Sequence, residues 1–117
     1  MSETTPNLNL PFIMPAQAQK HVTHNEAIEL LDAIVQLTLE NSAATTPPLA
    51  PLEGQAWALG DVPSGDWSGH AGSIAAWRGG GWLFVVPREG WIAWVKGDAA
   101  LQVFTGTQWD TLAATGA

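Results

Sequence analysis

The sequence predicts an α+β protein: an extended N-terminal arm, one long helix, and a small Trp-rich antiparallel β module, either a sheet or an open barrel. Three observations lead there. All seven tryptophans lie beyond residue 56, among Gly-rich turns. Before them, Glu26 to Glu40 contains no Gly or Pro and carries apolar residues around most of a helical circumference. Ahead of that run, Pro6, Pro11 and Pro15 break up a short apolar segment. The expected organisation is an arm over 1–22, an oligomerisation helix over 23–41, a Pro-rich linker over 42–53 and a β module over 54–113.

In the arm, proline fixes φ and removes amide donors, which forbids a helix and favours extended geometry. Leu8, Leu10, Phe12 and Ile13 are too many apolar residues for a freely solvated tail, so they are the expected docking anchors of a segment lying in a groove.

Thr23-His24-Asn25-Glu26 has the form of a capping box, in which Thr23 satisfies a free N–H and Glu26 reaches back. Placed at about 100° intervals, Glu29, Asp32, Gln36 and Glu40 share one narrow stripe. Opposite them, Ala27, Ile28, Leu30, Leu31, Ile34, Val35, Leu37 and Leu39 span roughly 200°, about twice what a surface helix buries. A module of about 60 residues is near the lower limit for a stable core and is a poor cover for so wide a face. A helix bundle about a symmetry axis covers it, with Ile28, Leu31, Ile34 and Val35 as the oligomer core.

Pro47, Pro48 and Pro51 make the next stretch a stiff spacer. Beyond Gly54, short strands are expected at 55–59, 73–78, 82–86, 91–96, 101–105 and 108–112. Trp77-Arg78-Gly79-Gly80-Gly81-Trp82 and Phe104-Thr105-Gly106-Thr107-Gln108-Trp109 repeat the pattern aromatic-x-Gly-x-x-Trp. Each reads as a hairpin with Gly at the turn and an aromatic on either strand. Asp61–Gly72 reads as an exposed loop bearing Trp67 and His70.

Composition narrows the function. The net charge is −7 with four basic residues, which leaves no Lys/Arg cluster for phosphate contacts or anionic lipid. Charged residues make up 13% of the chain, so much of the surface is neutral-polar or covered by a partner. With no cysteine there is neither a disulfide framework nor a thiolate zinc site. No apolar run is long enough to span a bilayer, and the N-terminus lacks the basic and apolar regions of a secretory signal. The expectation is a protein made in the cytoplasm, with no membrane insertion and no nucleic-acid partner.

Candidate chemistry is sparse. His21, His24 and Glu26 have metal-ligand residue types, but their place at the helix entrance is explained by capping and junction contacts, so no metal or other cofactor is expected. His70 with Asp66, Ser68 and Ser73 supplies triad-like types on one Gly-rich loop, where preorganisation is poor. Asp61, Asp66, Glu89, Asp98 and Asp110 sit in turn-like contexts. No catalytic residues are assigned, and the chain is not expected to be an enzyme. The tryptophans admit two readings: core packing, or stacking on sugar rings. Trp91 and Trp94, three apart on a strand, face opposite sides. With Trp67 they are the candidate glycan contacts.

The run Gln17-Ala18-Gln19-Lys20-His21-Val22-Thr23-His24-Asn25-Glu26-Ala27-Ile28, with Leu8-Asn9-Leu10-Pro11 before it and Leu31-Asp32 after it, resembles a known family. So do Gly54-Gln55-Ala56-Trp57, Trp67-Ser68-Gly69-His70, Ile74-Ala75-Ala76-Trp77, Gly81-Trp82-Leu83-Phe84, Pro87 and Gly90-Trp91. The chain is similar over residues 4–112 to a domain of unknown function found in tail-fibre and spike proteins of alphaproteobacterial phages, prophages and gene transfer agents. The resemblance implies a virion structural protein of the tail tip or capsid spike, a homotrimer, with a baseplate hub or spike base as partner and no catalytic residues. Longer members continue into a receptor-binding region, and the expectation here is an adaptor or short-fibre role in host adsorption. The alternatives are a glycan-binding module touching host surface polysaccharide, and an assembly chaperone absent from finished particles.

Overall fold

A computed structural model describes residues 3–13 and 20–112, apart from the side chains of Lys20 and His21. The chain divides into two compact units, Met1–Gln36 and Leu37–Ala117. Parts of the expected arm (1–22) and the last residue of the expected module (113) lie outside the described residues, as does the His21 side chain.

The first unit contains one helix, α1, Lys20–Ile34. It differs from the expected 23–41 at both ends. Thr23 lies inside the helix, so Thr23 and Glu26 are not its N-cap pair. At the other end Val35 N–H still bonds Leu31 O at 2.8 Å, and Gln36 then turns left-handed at φ 55°. A left-handed residue just past the last turn stops a helix, but that place is normally held by glycine or asparagine. Glutamine carries no such signal.

Between residues 4 and 11 the arm is not extended. Thr4 and Pro11 form an antiparallel bridge, Thr5 N–H bonds Leu10 O at 2.9 Å, and Asn9 turns left-handed at φ 58°. Residues 4–11 thus close into a loop, which proline permits because it only removes donors that this loop does not use.

The second unit holds two open sheets. The strands are β1 (Thr38–Leu39), β2 (Ala56–Ala58), β3 (Ile74–Arg78), β4 (Gly81–Val85), β5 (Ile92–Val95), β6 (Ala100–Phe104) and β7 (Trp109–Thr111). One sheet has the order β2-β3-β4 and is antiparallel throughout. The other has the order β1-β5-β6-β7 and is antiparallel except where β1 runs parallel to β5. The expected α+β class with an antiparallel Trp-rich module is therefore found, in sheet form.

Both aromatic-x-Gly-x-x-Trp repeats are hairpins. Trp77 pairs with Trp82 across a turn in which Gly79 and Gly80 both have positive φ, the geometry of the tightest hairpin loop. Phe104 pairs with Trp109 across a four-residue loop with Gly106 at φ 108°. Each pair brings its rings together, at 4.9 Å for Trp77–Trp82 and 5.3 Å for Phe104–Trp109.

The end of the expected helix and the start of the expected linker together form a seam between the sheets. On one side Trp94, Lys96 and Gly97 donate to Leu37, Leu39 and Glu40 carbonyls. On the other, Glu40 N–H bonds Ala56 O, Ala58 N–H bonds Asn41 O, and Ala44 N–H bonds Ala58 O. Leu39, expected on the helix, is fully buried in β1. One buried apolar cluster is Trp57, Leu59, Trp67 and Ala75, with Ala44, Trp82 and Phe84 packed against it. Ala75 sits between Trp57 and Phe84 in register, and its small side chain leaves room for the rings on either side.

Candidate interaction surfaces

Asp32 inverts the expected polar stripe. It is fully buried and its carboxylate holds the arm. Oδ1 accepts from Thr5 Oγ1 and from Leu8 N, both at 2.6 Å, and Oδ2 accepts from Asn7 N at 3.0 Å. Short bonds to an ionised acceptor are the strong kind, and a buried carboxylate needs them. Asn25, two turns earlier on the same helix face, grips the other end of the arm. Its Oδ1 accepts from Ile13 N and its Nδ2 donates to Ile13 O, both at 2.9 Å. Seven residues on a helix return to nearly the same face, which is why one arm can meet both side chains.

With Asp32 turned inward, neighbouring apolar residues are left outward. Leu30, Leu31 and Val35 are 39%, 46% and 44% exposed. Of the expected oligomer core, Ile28 and Ile34 are half-buried and Leu31 and Val35 exposed, so none is closed off within the chain. Of the expected docking anchors, Leu8, Leu10 and Phe12 are half-buried and Ile13 is exposed, on a loop pinned to α1 by Asp32 and Asn25.

A second apolar face lies on the four-stranded sheet. Cross-strand partners share a face, so Thr38, Trp94 and Leu101 form one row, with Leu112 next to Leu101 through its N–H. Ile92 and Val103 form the adjacent row. Ile92, Trp94, Leu101 and Leu112 are each exposed.

The three candidate glycan tryptophans separate. Trp67 is fully buried, contrary to the exposed-loop expectation, because a 3-10 turn at Gly65–Trp67 folds it inward. There it meets Trp57 at 5.8 Å and Trp82 at 5.3 Å, and its Nε1 finds no acceptor among the described residues. Trp91 is half-buried and precedes β5 on the face that carries Phe104. Trp94 is exposed among Ile92 and Leu101, with few polar groups for a sugar hydroxyl.

His70 stacks on Phe84 with centroids 3.5 Å apart and planes within 2°, a packing role for the ring of the triad-like set. His24 and Glu26 are exposed on α1, and among the described residues no three His, Cys, Asp or Glu converge as metal ligands. No helix is long and apolar enough to cross a membrane among the described residues.

An open cleft of about 360 Å³ lies at one end of the β module. The β6–β7 hairpin forms one wall with Gln108, Trp109 and Asp110, and the seam and the end of β2 form the other with Ala43 and Asp61.

Asp32, Asn25 and the cleft escaped sequence reasoning. The one available signal was an Asn and an Asp seven apart on a helix, the latter flanked by Leu31 and Ala33.

Fold and surfaces together define a small α+β module with two uncovered apolar faces. The family model for a protein of unknown function, DUF2793, matches residues 24–110, and the chain belongs to that family. The match takes in Asn25 and Asp32 but not the arm they hold. No curated protein and no solved structure matches the chain.

Proposed function

We propose that this protein is a virion structural component, of a tail fibre, baseplate or head spike in a phage or gene transfer agent, that helps attach the adsorption apparatus. It assembles as a homotrimer through the outward face of α1, and its partners are other particle proteins. The observation that carries this reading is the exposure of Leu30, Leu31 and Val35 on a helix whose one buried carboxylate is already engaged. Apolar residues at i and i+4, here Leu31 and Val35, line the seam of a helix bundle. The similarity of the Gln17–Ile28 run to phage and gene-transfer-agent fibre domains supports the particle context.

Sedimentation velocity of the full chain at micromolar concentration tests the assembly. A trimer that Leu31→Glu dissociates is the expected result. A wild-type monomer overturns the trimer. Mass spectrometry of purified particles tests the location, since a chaperone is absent from them.

The competing reading, host glycan contact through Trp67, Trp91 and Trp94, loses Trp67 to the core and leaves Trp94 in an apolar row better suited to protein packing.

A further inference from the structure

We propose that the cleft at the end of the β module binds a neutral saccharide, with Trp109 as the stacking platform. This is a site distinct from Trp67, Trp91 and Trp94, and it does not depend on the trimer.

Trp109 is half-buried in β7, with its ring supported by Phe104 at 5.3 Å, and it lines the cleft. An indole backed from one side is a rigid, low-entropy surface for the apolar face of a pyranose ring. On the facing wall stand Asp61 and Ser42, and Thr107 lies in the hairpin loop beside it. A carboxylate and two hydroxyls can both accept from and donate to vicinal hydroxyls. Small-ligand sites combine such an aromatic wall with a few placed polar groups, and about 360 Å³ accommodates one to two sugar rings.

The sign of the charge narrows the ligand. Among the described residues the cleft lining includes Asp61 and no basic residue, in a chain of net charge −7. Phosphates, nucleic acids and acidic polysaccharides are therefore repelled. The polar groups around Trp109 make it a poor lipid site. The far wall is also held under strain. Ala43 has φ 59°, and a Cβ at Gly60 would stand 3.1 Å from Ala43 O. A left-handed alanine costs about 1 kcal/mol, and such strain gathers at ligand sites.

The test uses the full chain with neutral malto-, cello-, xylo- and manno-oligosaccharides, an anionic oligogalacturonate and an oligolysine peptide. Saturation-transfer NMR and calorimetry read the binding. At least one neutral series should bind saturably with Kd below about 10 mM, the weak end of specific recognition. Trp109→Ala should weaken it at least tenfold. Because Trp109 also packs on Phe104, Asp61→Ala serves as the second variant: it is exposed, removes no packing, and should weaken binding severalfold. Trp94→Ala should leave binding unchanged. The proposal is overturned if no neutral series binds, if the anionic sugar or the peptide binds in preference, or if Asp61→Ala and a folded Trp109→Ala both bind as wild type.

Discussion

Replacing Asp32 with Asn tests whether one carboxylate holds the arm. In the native chain Oδ1 takes two donors, Thr5 Oγ1 and Leu8 N, and Oδ2 takes Asn7 N. The amide oxygen of an asparagine fits best at the Oδ1 position, where it keeps two bonds. Its NH2 group then faces the Asn7 N–H, donor against donor. One charge-assisted bond, worth about 1.5–3 kcal/mol, is lost, and two others fall to the neutral value, roughly another 1–2 kcal/mol. The total of about 2.5–5 kcal/mol is a large share of any small unit's stability. Hydrogen exchange of the Thr5, Leu8 and Leu10 amides reads it directly, because local opening reports local free energy. Protection there should fall by roughly a hundredfold or more, while Ala75 and Ala93 in the β module keep theirs. Asp32→Ala, which removes all three acceptors, should be at least as severe. Arm amides in Asp32→Asn that exchange within about threefold of wild type would refute the assignment of Asp32 as the clamp.

Other outcomes follow from single contacts. Leu31→Glu should abolish association in sedimentation velocity while leaving the helical circular dichroism unchanged, since the side chain is 46% exposed in the single chain. Gly97→Ala should lower stability in urea by about 1–3 kcal/mol, because its Cβ would collide with Asn41 Oδ1 and press on Glu40 O in the seam. Trp67→Ala should cost about 3–5 kcal/mol, whereas Trp67→Phe should cost clearly less, because the fully buried indole N–H it removes has no acceptor among the described residues. Lys96→Ala should change stability by less than about 1 kcal/mol, since its 2.9 Å pair with Glu40 is solvent-exposed on the lysine side.

The β module was largely legible. Each sequence-derived strand overlaps an observed one, because Gly79-Gly80 and Gly106 mark turns by a backbone need that few residues meet. The two hairpin motifs placed an aromatic on either flanking strand, and the register pairs Trp77 with Trp82 and Phe104 with Trp109. What stayed hidden depends on long-range partners. The helix gives way at Gln36, a residue with no terminating signature, so Leu37 and Leu39 kept a helical look although Leu39 belongs to a strand and Leu37 directly precedes it. Asp32 looked solvated because its three donors lie more than twenty residues earlier. Trp67 looked exposed because it sits among Gly, Ser and Asp, although the loop turns it into the Trp57–Trp82 cluster. The cleft joins the seam to a hairpin some fifty residues away, and no local pattern announces such a meeting.

The exposed helix face is too small to act alone. Completing the burial of Leu30, Leu31 and Val35, each a little under half exposed, is worth about 1 kcal/mol per side chain. A trimer thus gains roughly 9 kcal/mol in all, against an association penalty of about 4–15 kcal/mol for each chain that joins. The proposed trimer therefore needs more buried apolar area than the α1 face supplies. The row of Trp94, Leu101 and Leu112, with Ile92 beside it, is a second exposed apolar face. For the proposed trimer to hold at micromolar concentration that sheet face must join the same assembly, so Trp94→Glu should dissociate it in sedimentation velocity as Leu31→Glu does.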